Sequence, residues 1–126
     1  MALRAALLIL VAALLAPAAA SATYRDFRRP SGKVGCAFYD DSRVEPSVRC
    51  DWRGAGDRGV TVGTHGRARV IKATDTVLNP DAPVLAYGRR TRFRALRCTS
   101  RRTGMTCRST RSGHGFTVSV EKRRLF

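Results

Sequence analysis

The sequence predicts an all-β protein: a small single-domain sandwich or barrel of about seven or eight short antiparallel strands, closed by two disulfides. Three observations carry this reading. Turn signals recur roughly every 8–12 residues. No window after the first 22 residues keeps a helical period over about a dozen positions. The four cysteines, Cys36, Cys50, Cys98 and Cys107, lie in apolar runs that face one another in pairs across polar turns.

Residues 1–22 stand apart from this pattern. A short positive start ending in Arg4 leads into an apolar run at 5–15, and the small residues that follow end in Ala20, Ser21 and Ala22. This is the form of a secretory signal peptide with a small-residue cleavage site. A membrane-spanning helix needs about 20 apolar residues, and Pro17 interrupts this run. The expectation is a cleaved signal at 1–22, a secreted β domain at 23–126, and no membrane span after cleavage. Localisation is then extracellular, with association to the cell envelope as an extension.

The elements follow in order. Residues 23–30 form a basic lead-in anchored by Phe27. Residues 33–39 (KVGCAFY) and 47–52 (SVRCDW) read as a strand and its return around the polar turn at 40–46. Three glycines make 54–59 a loop. Residues 59–63 and 67–73 suit a second hairpin with His65 at its tip. Two prolines and three Asp or Asn residues make 74–83 a loop. Residues 83–87 (PVLAY) read as a strand closed by Gly88. Residues 92–99 (RFRALRCT) alternate basic with apolar and read as one half-buried strand. Residues 105–109 return, and 116–120 (FTVSV) form the last strand.

Spacing decides the chemistry of the cysteines. Neither pair has the tight C-x₂₋₄-C form that presents two thiolates to zinc, and an exported chain keeps its disulfides. Hairpin pairing predicts Cys36–Cys50 and Cys98–Cys107. No metal and no cofactor are expected.

Charge suggests the partner. Once Arg4 leaves with the signal, 23 basic residues face 9 acidic ones, a net charge of +14, and all but Lys33, Lys72 and Lys122 are arginine. Anionic polymers of the cell envelope or nucleic acid are the partners such a balance suggests. A GC-rich coding sequence produces the same composition, so clustering on one face is the discriminating observation. The densest patches are Arg89, Arg90 and Arg92, then Arg101 and Arg102, then Lys122, Arg123 and Arg124. A solvated face is the plain alternative.

Several segments together resemble a known family. They are Val34-Gly35-Cys36-Ala37-Phe38, Val48-Arg49-Cys50-Asp51, Asp75-Thr76-Val77-Leu78, Pro83-Val84-Leu85-Ala86-Tyr87-Gly88, Arg97-Cys98-Thr99-Ser100, Gly104-Met105-Thr106-Cys107 and Ser112-Gly113-His114-Gly115-Phe116. The set, spanning Phe27 to Phe126, resembles a family of small secreted proteins of high-GC Gram-positive bacteria known only as a domain of unknown function. The resemblance implies secretion and supplies no catalytic residues. It also implies two further cysteines in many members. This chain has none across 53–74, and Ile71, Lys72 and Ala73 stand at the second place. Joint loss fits a pair bonded to each other, which supports the two local pairings above.

No catalytic set stands out. His114, held between Gly113 and Gly115, could act as a base or ligand, and a turn residue is the plainer reading. A secreted phosphodiester hydrolase would pair it with Glu121 or Asp51 and use Arg97 and Arg108 on phosphate. A small protease inhibitor would need a rigid loop, for which 79–84 is the nearest candidate. Asp75, Asn79 and Asp81 lack the spacing of a calcium loop. Trp52, beside the glycine-rich loop, is the aromatic best placed to stack on a base or sugar. The sequence favours a non-enzymatic binding or envelope-associated module with a basic surface.

Overall fold

Strand alternation sorts this chain into two inward-facing sets of side chains, and those sets build the core. In the computed structural model, which describes residues 22–126, ten strands form two five-stranded sheets. The signal-peptide reading of residues 1–22 falls outside the described residues except at Ala22. The first sheet is a meander of β1 (Thr23–Arg28), β2 (Val34–Asp41), β3 (Val44–Trp52), β4 (Arg58–Gly63) and β5 (Arg69–Lys72). The second is a meander of β6 (Arg90–Phe93), β7 (Leu96–Arg101), β8 (Gly104–Ser109), β9 (Gly115–Val118) and β10 (Arg123–Leu125). Every neighbouring pair within a sheet is antiparallel. The architecture is a sandwich.

Val34, Cys36 and Phe38 of β2, Val48, Cys50 and Trp52 of β3, and Val60 and Val62 of β4 form one inner layer. Leu96 and Cys98 of β7, Met105 and Cys107 of β8, and Phe116 and Val118 of β9 form the other. The two layers make one continuous buried cluster. Each of these larger side chains contributes about 1.5–3 kcal/mol when fully buried.

Both predicted disulfides are present, Cys36–Cys50 and Cys98–Cys107, each joining residues directly opposite in register. Each bridge belongs to one sheet, and Cys50 Sγ lies 3.7 Å from Cys107 Sγ. Disulfide sulfurs carry no hydrogen, so this is van der Waals contact between the two staples at the sandwich centre. Three of the sulfurs lie within 4.8 Å of one another, but bonded as disulfides they offer no thiolate to a metal.

The strand count exceeds the expected one for physical reasons. The lead-in at 23–30 becomes strand β1, because Phe27 reaches the core and pairs its backbone with Cys36. Residues 92–99 are two strands rather than one. A two-residue hairpin turn at Arg94 and Ala95 splits them, with Arg94 at φ 55°, the only non-glycine residue at positive φ among the described residues. Residues 83–87 form no strand. Val84 makes a single parallel bridge to Arg28. β10, which pairs with β9, carries no apolar alternation to announce it.

The connection at residues 73–89 is a strap across the outer face of the first sheet. Asp51, buried on β3, is its anchor. Its carboxylate accepts hydrogen bonds from Arg49 Nε and Nη2, both at 2.9 Å, from the Thr76 hydroxyl at 2.9 Å and from Val77 N–H at 3.0 Å. Further along, the strap lies on Gly35, where a Cβ would meet the Leu78 backbone at 3.3 Å. At β1, Arg28 N–H donates to the Pro83 carbonyl and Leu85 N–H to that of Arg28. The loop weighed as an inhibitor segment, residues 79–84, therefore lies against β1.

Arg49 also donates to Asp75 at 2.9 Å. Burial works against the Arg49 charge, yet its bonds to Asp51 and Asp75 and their negative charges outweigh this and raise its pKa. The Arg49 hydrogen bond and charge hold the Asp75 carboxyl below its ordinary 3.8. A carboxyl depressed in the folded state contributes stability above its unfolded pKa and loses it as pH falls through the folded value. Acidification below about pH 4 is therefore expected to loosen the start of the strap first. Hydrogen exchange at Thr76, Val77 and Leu78 should accelerate before exchange in β7 and β8 does.

Candidate anion-binding face

The same alternation that sends Leu96, Cys98 and Ser100 inward sends Arg97, Thr99 and Arg101 outward from β7. Register then fixes their neighbours. Arg92 of β6 pairs with Arg97, which pairs with Arg108 of β8. One step along, Arg90, Thr99, Thr106, Thr117 and Arg124 form a second row across all five strands. Arg101 adds a further step on β7. Six arginines and three threonines thus plate the outer face of the second sheet. Neighbouring strands stand about 4.8 Å apart, and successive same-face residues about 7 Å apart.

The positive charge of this face is uncompensated. Residues 90–126 contain eleven arginines and lysines and one acid, Glu121. The other eight acids all precede residue 82, where arginines pair several of them. None of the ion pairs among the described residues involves the face. Burial and then the charges of Arg92, Arg90 and Arg108 push the Arg97 guanidinium below its ordinary pKa. It stays charged at any ordinary pH, so an anion bound here relieves repulsion.

The scaffold holds the arginines in place. The Cys98–Cys107 bridge clamps β7 to β8 beneath them. Thr106 and Thr117 hydroxyls hydrogen-bond across β8 and β9 at 2.8 Å. Arg29, buried at the end of the sandwich, donates to the carbonyls of Arg101 and Arg102 at 2.9 and 2.8 Å and so fixes the β7–β8 turn.

The residues singled out from sequence divide. Arg90, Arg92, Arg101 and Arg124 come together on this face. Arg89 is exposed just before β6 and one residue out of phase with Arg90. Arg102 lies over the Tyr87 ring at 4.9 Å, and Lys122 is exposed in the β9–β10 turn. Arg123 turns the other way and covers the Trp52 ring at 4.7 Å. Trp52 is itself a core residue, 4% exposed, and offers no open stacking surface. His114 lines a shallow depression with Arg67, Ala68, Leu125 and Phe126, which holds no Asp or Glu side chain. Asp51, one carboxylate considered for it, is engaged in the strap. Arg97 and Arg108, weighed in sequence only as phosphate contacts of a hydrolase, are central to the face. Their signal was present: arginine at every second position of 90–92, 97–101 and 106–108, shared with threonine.

Fold and face together define a small disulfide-bonded β-sandwich with a basic outer sheet. The chain belongs to the Family of unknown function (DUF6636), whose model matches residues 57–126, more than half of its length. The matched segment runs from the loop before β4 to the end of β10 and contains the whole arginine face. No curated protein and no solved structure matches the chain.

Proposed function

We propose that this protein is a secreted, non-enzymatic binding module for anionic polymers, which it holds on the outer face of its second sheet. The observation that carries the reading is the collection of six arginines outside any ion pair on one sheet face, within a segment, residues 90–126, that has a single acid. Arginine itself is spread over both sheets; what sets this face apart is that the acids which accompany and pair arginines of the first sheet are missing around it. The export signal read at residues 1–22 and the two disulfides agree with a place outside the cytoplasm. Envelope polyanions then become the accessible ligands.

Salt-dependent retention on immobilised polyanions tests this. Each phosphate neutralised contributes roughly 0.7–0.9 to the slope of log affinity against log salt. Replacing Arg90, Arg97 and Arg108 with serine is expected to reduce that slope by about 2–3. Replacing Arg53, Arg69 and Lys72 on the first-sheet side removes the same charge and is expected to change it by less than about 1. Equal effects of the two triple variants would mean that net charge alone drives retention.

A further inference from the structure

The arginine face is not uniform. It contains two adjoining depressions that share a wall. The larger, about 420 Å³, has Thr99 at its floor with Arg90, Arg97, Arg101 and Arg108 around it. The smaller, about 210 Å³, lies beside it toward the edge strand, between Arg90, Arg92 and Arg97. Arg90 and Arg97 belong to both. Sheet spacings place the two centres about 5–7 Å apart.

Each depression has the chemistry of a phosphate subsite. Guanidinium groups offer paired donors that match phosphate oxygens, and Thr99 adds a hydroxyl to the larger one. An isolated phosphate would satisfy one depression and leave the other with unrelieved repulsion. Two phosphates joined by a three-carbon bridge match the separation of the centres.

The centre of the face also lacks what base recognition needs. Single-stranded nucleic acid binders stack bases on open aromatic rings. Here Phe93, Phe116 and Trp52 serve the core or its margin. Phe126, 38% exposed, stands at the far edge by β10, away from both depressions, with Arg124 over its ring at 5.4 Å, and Arg102 lies over that of Tyr87. Threonines form the floor.

From these features we infer that the two depressions are paired subsites for consecutive phosphates of a base-free polymer, a chain of phosphodiesters joined by short polyols. The inference rests on the anionic-polymer reading above and specifies its ligand. Arg101 acts on the larger subsite alone, Arg92 on the smaller alone, and the shared Arg90 and Arg97 on both.

The oxidised protein lacking residues 1–22 is titrated at low salt with methyl phosphate and with 1,3-propanediol bisphosphate, following arginine side-chain NMR signals. The bisphosphate is expected to bind at least tenfold more tightly. R101S should weaken both ligands. R92S should weaken the bisphosphate about tenfold while leaving methyl phosphate within twofold. If R92S affects both equally or neither, the paired-subsite inference fails. In a second arm, a glycerol-phosphate polymer and oligothymidylate of equal phosphate number compete for the protein. Retention of the base-free polymer to at least the same salt supports the assignment, and several-fold tighter binding of the oligonucleotide overturns it. Retention of neither polymer beyond an equally charged control protein overturns the anionic-polymer reading itself.

Discussion

Replacing Asp51 with alanine is expected to lower the unfolding free energy by about 3 kcal/mol, the low end for breaking a buried ion pair. For a domain of this size that corresponds to a fall in Tm of roughly 12–24 °C. Asp51 is 3% exposed, so solvent screens its interactions little. Its carboxylate accepts two hydrogen bonds from Arg49, one from the Thr76 hydroxyl and one from Val77 N–H. Alanine leaves a mostly buried guanidinium with Asp75 alone, and a buried amide with no acceptor. The loss should be local in its first effect. Amides of the strap at 76–78 should lose protection, while those of β7 and β8 keep it until global unfolding. Asp51→Asn retains an acceptor of the same shape without the charge and should fall between the two. A loss below about 1 kcal/mol for Asp51→Ala would show that Gly35 packing and the β1 contacts hold the strap without its anchor.

Removing either disulfide is expected to cost about 2–4 kcal/mol. The suitable variants are paired, C36A/C50A and C98A/C107A, so that no lone thiol remains. Each bridge closes a short loop, 14 residues apart in one case and 9 in the other. Each also fills core space, since all four cysteines are fully buried. Because Cys50 Sγ and Cys107 Sγ touch, the two losses should not simply add, with a coupling of about 0.5–3 kcal/mol. A domain of this size has roughly 5–15 kcal/mol in total. The fourfold variant is therefore expected to be largely unfolded at 37 °C, as far-UV circular dichroism and denaturant titration would report. Additive losses would mean that the central sulfur contact carries no energy of its own. The C98A/C107A variant should also weaken anion binding more than C36A/C50A does, because its bridge underlies the arginine face.

Much of this architecture was legible in the residues. Alternation in 33–39, 47–52, 59–63 and 105–109 announced strands because one face of each is apolar, save for the buried Ser109 at the end of the last. The disulfide pairing was legible because each cysteine pair flanks a turn short enough to set it in register. Other elements gave no such signal. β10 lies at a sheet edge with all three residues exposed, so nothing apolar marks it. Residues 83–87 carry a convincing apolar run, but their partner across the sandwich end is the backbone of Arg28, a choice made by the path of the strap. The turn at Arg94 lacks the glycine or asparagine that usually marks a hairpin, which hid the boundary between β6 and β7.

The candidate site divides in the same way. Arg90, Arg92, Arg101 and Arg124 were visible as members of dense basic runs. Those runs misled about Arg123, since neighbours in a strand point to opposite faces and only alternate arginines can share a surface, and about Arg102, which lies in the turn after β7. Arg97 and Arg108 stood alone in their runs and gained significance from register with Arg92.

The sequence by itself determined the all-β class, the two staples, the inner rows and the excess of positive charge. These depend on local periodicity, on short-range spacing and on composition. Tertiary structure alone decided that the strap crosses the first sheet on Asp51, that Trp52 lies under Arg123, and that six arginines from four strands meet on one face. Those outcomes depend on which strands pair and in what register, a long-range choice made by burial of the common core.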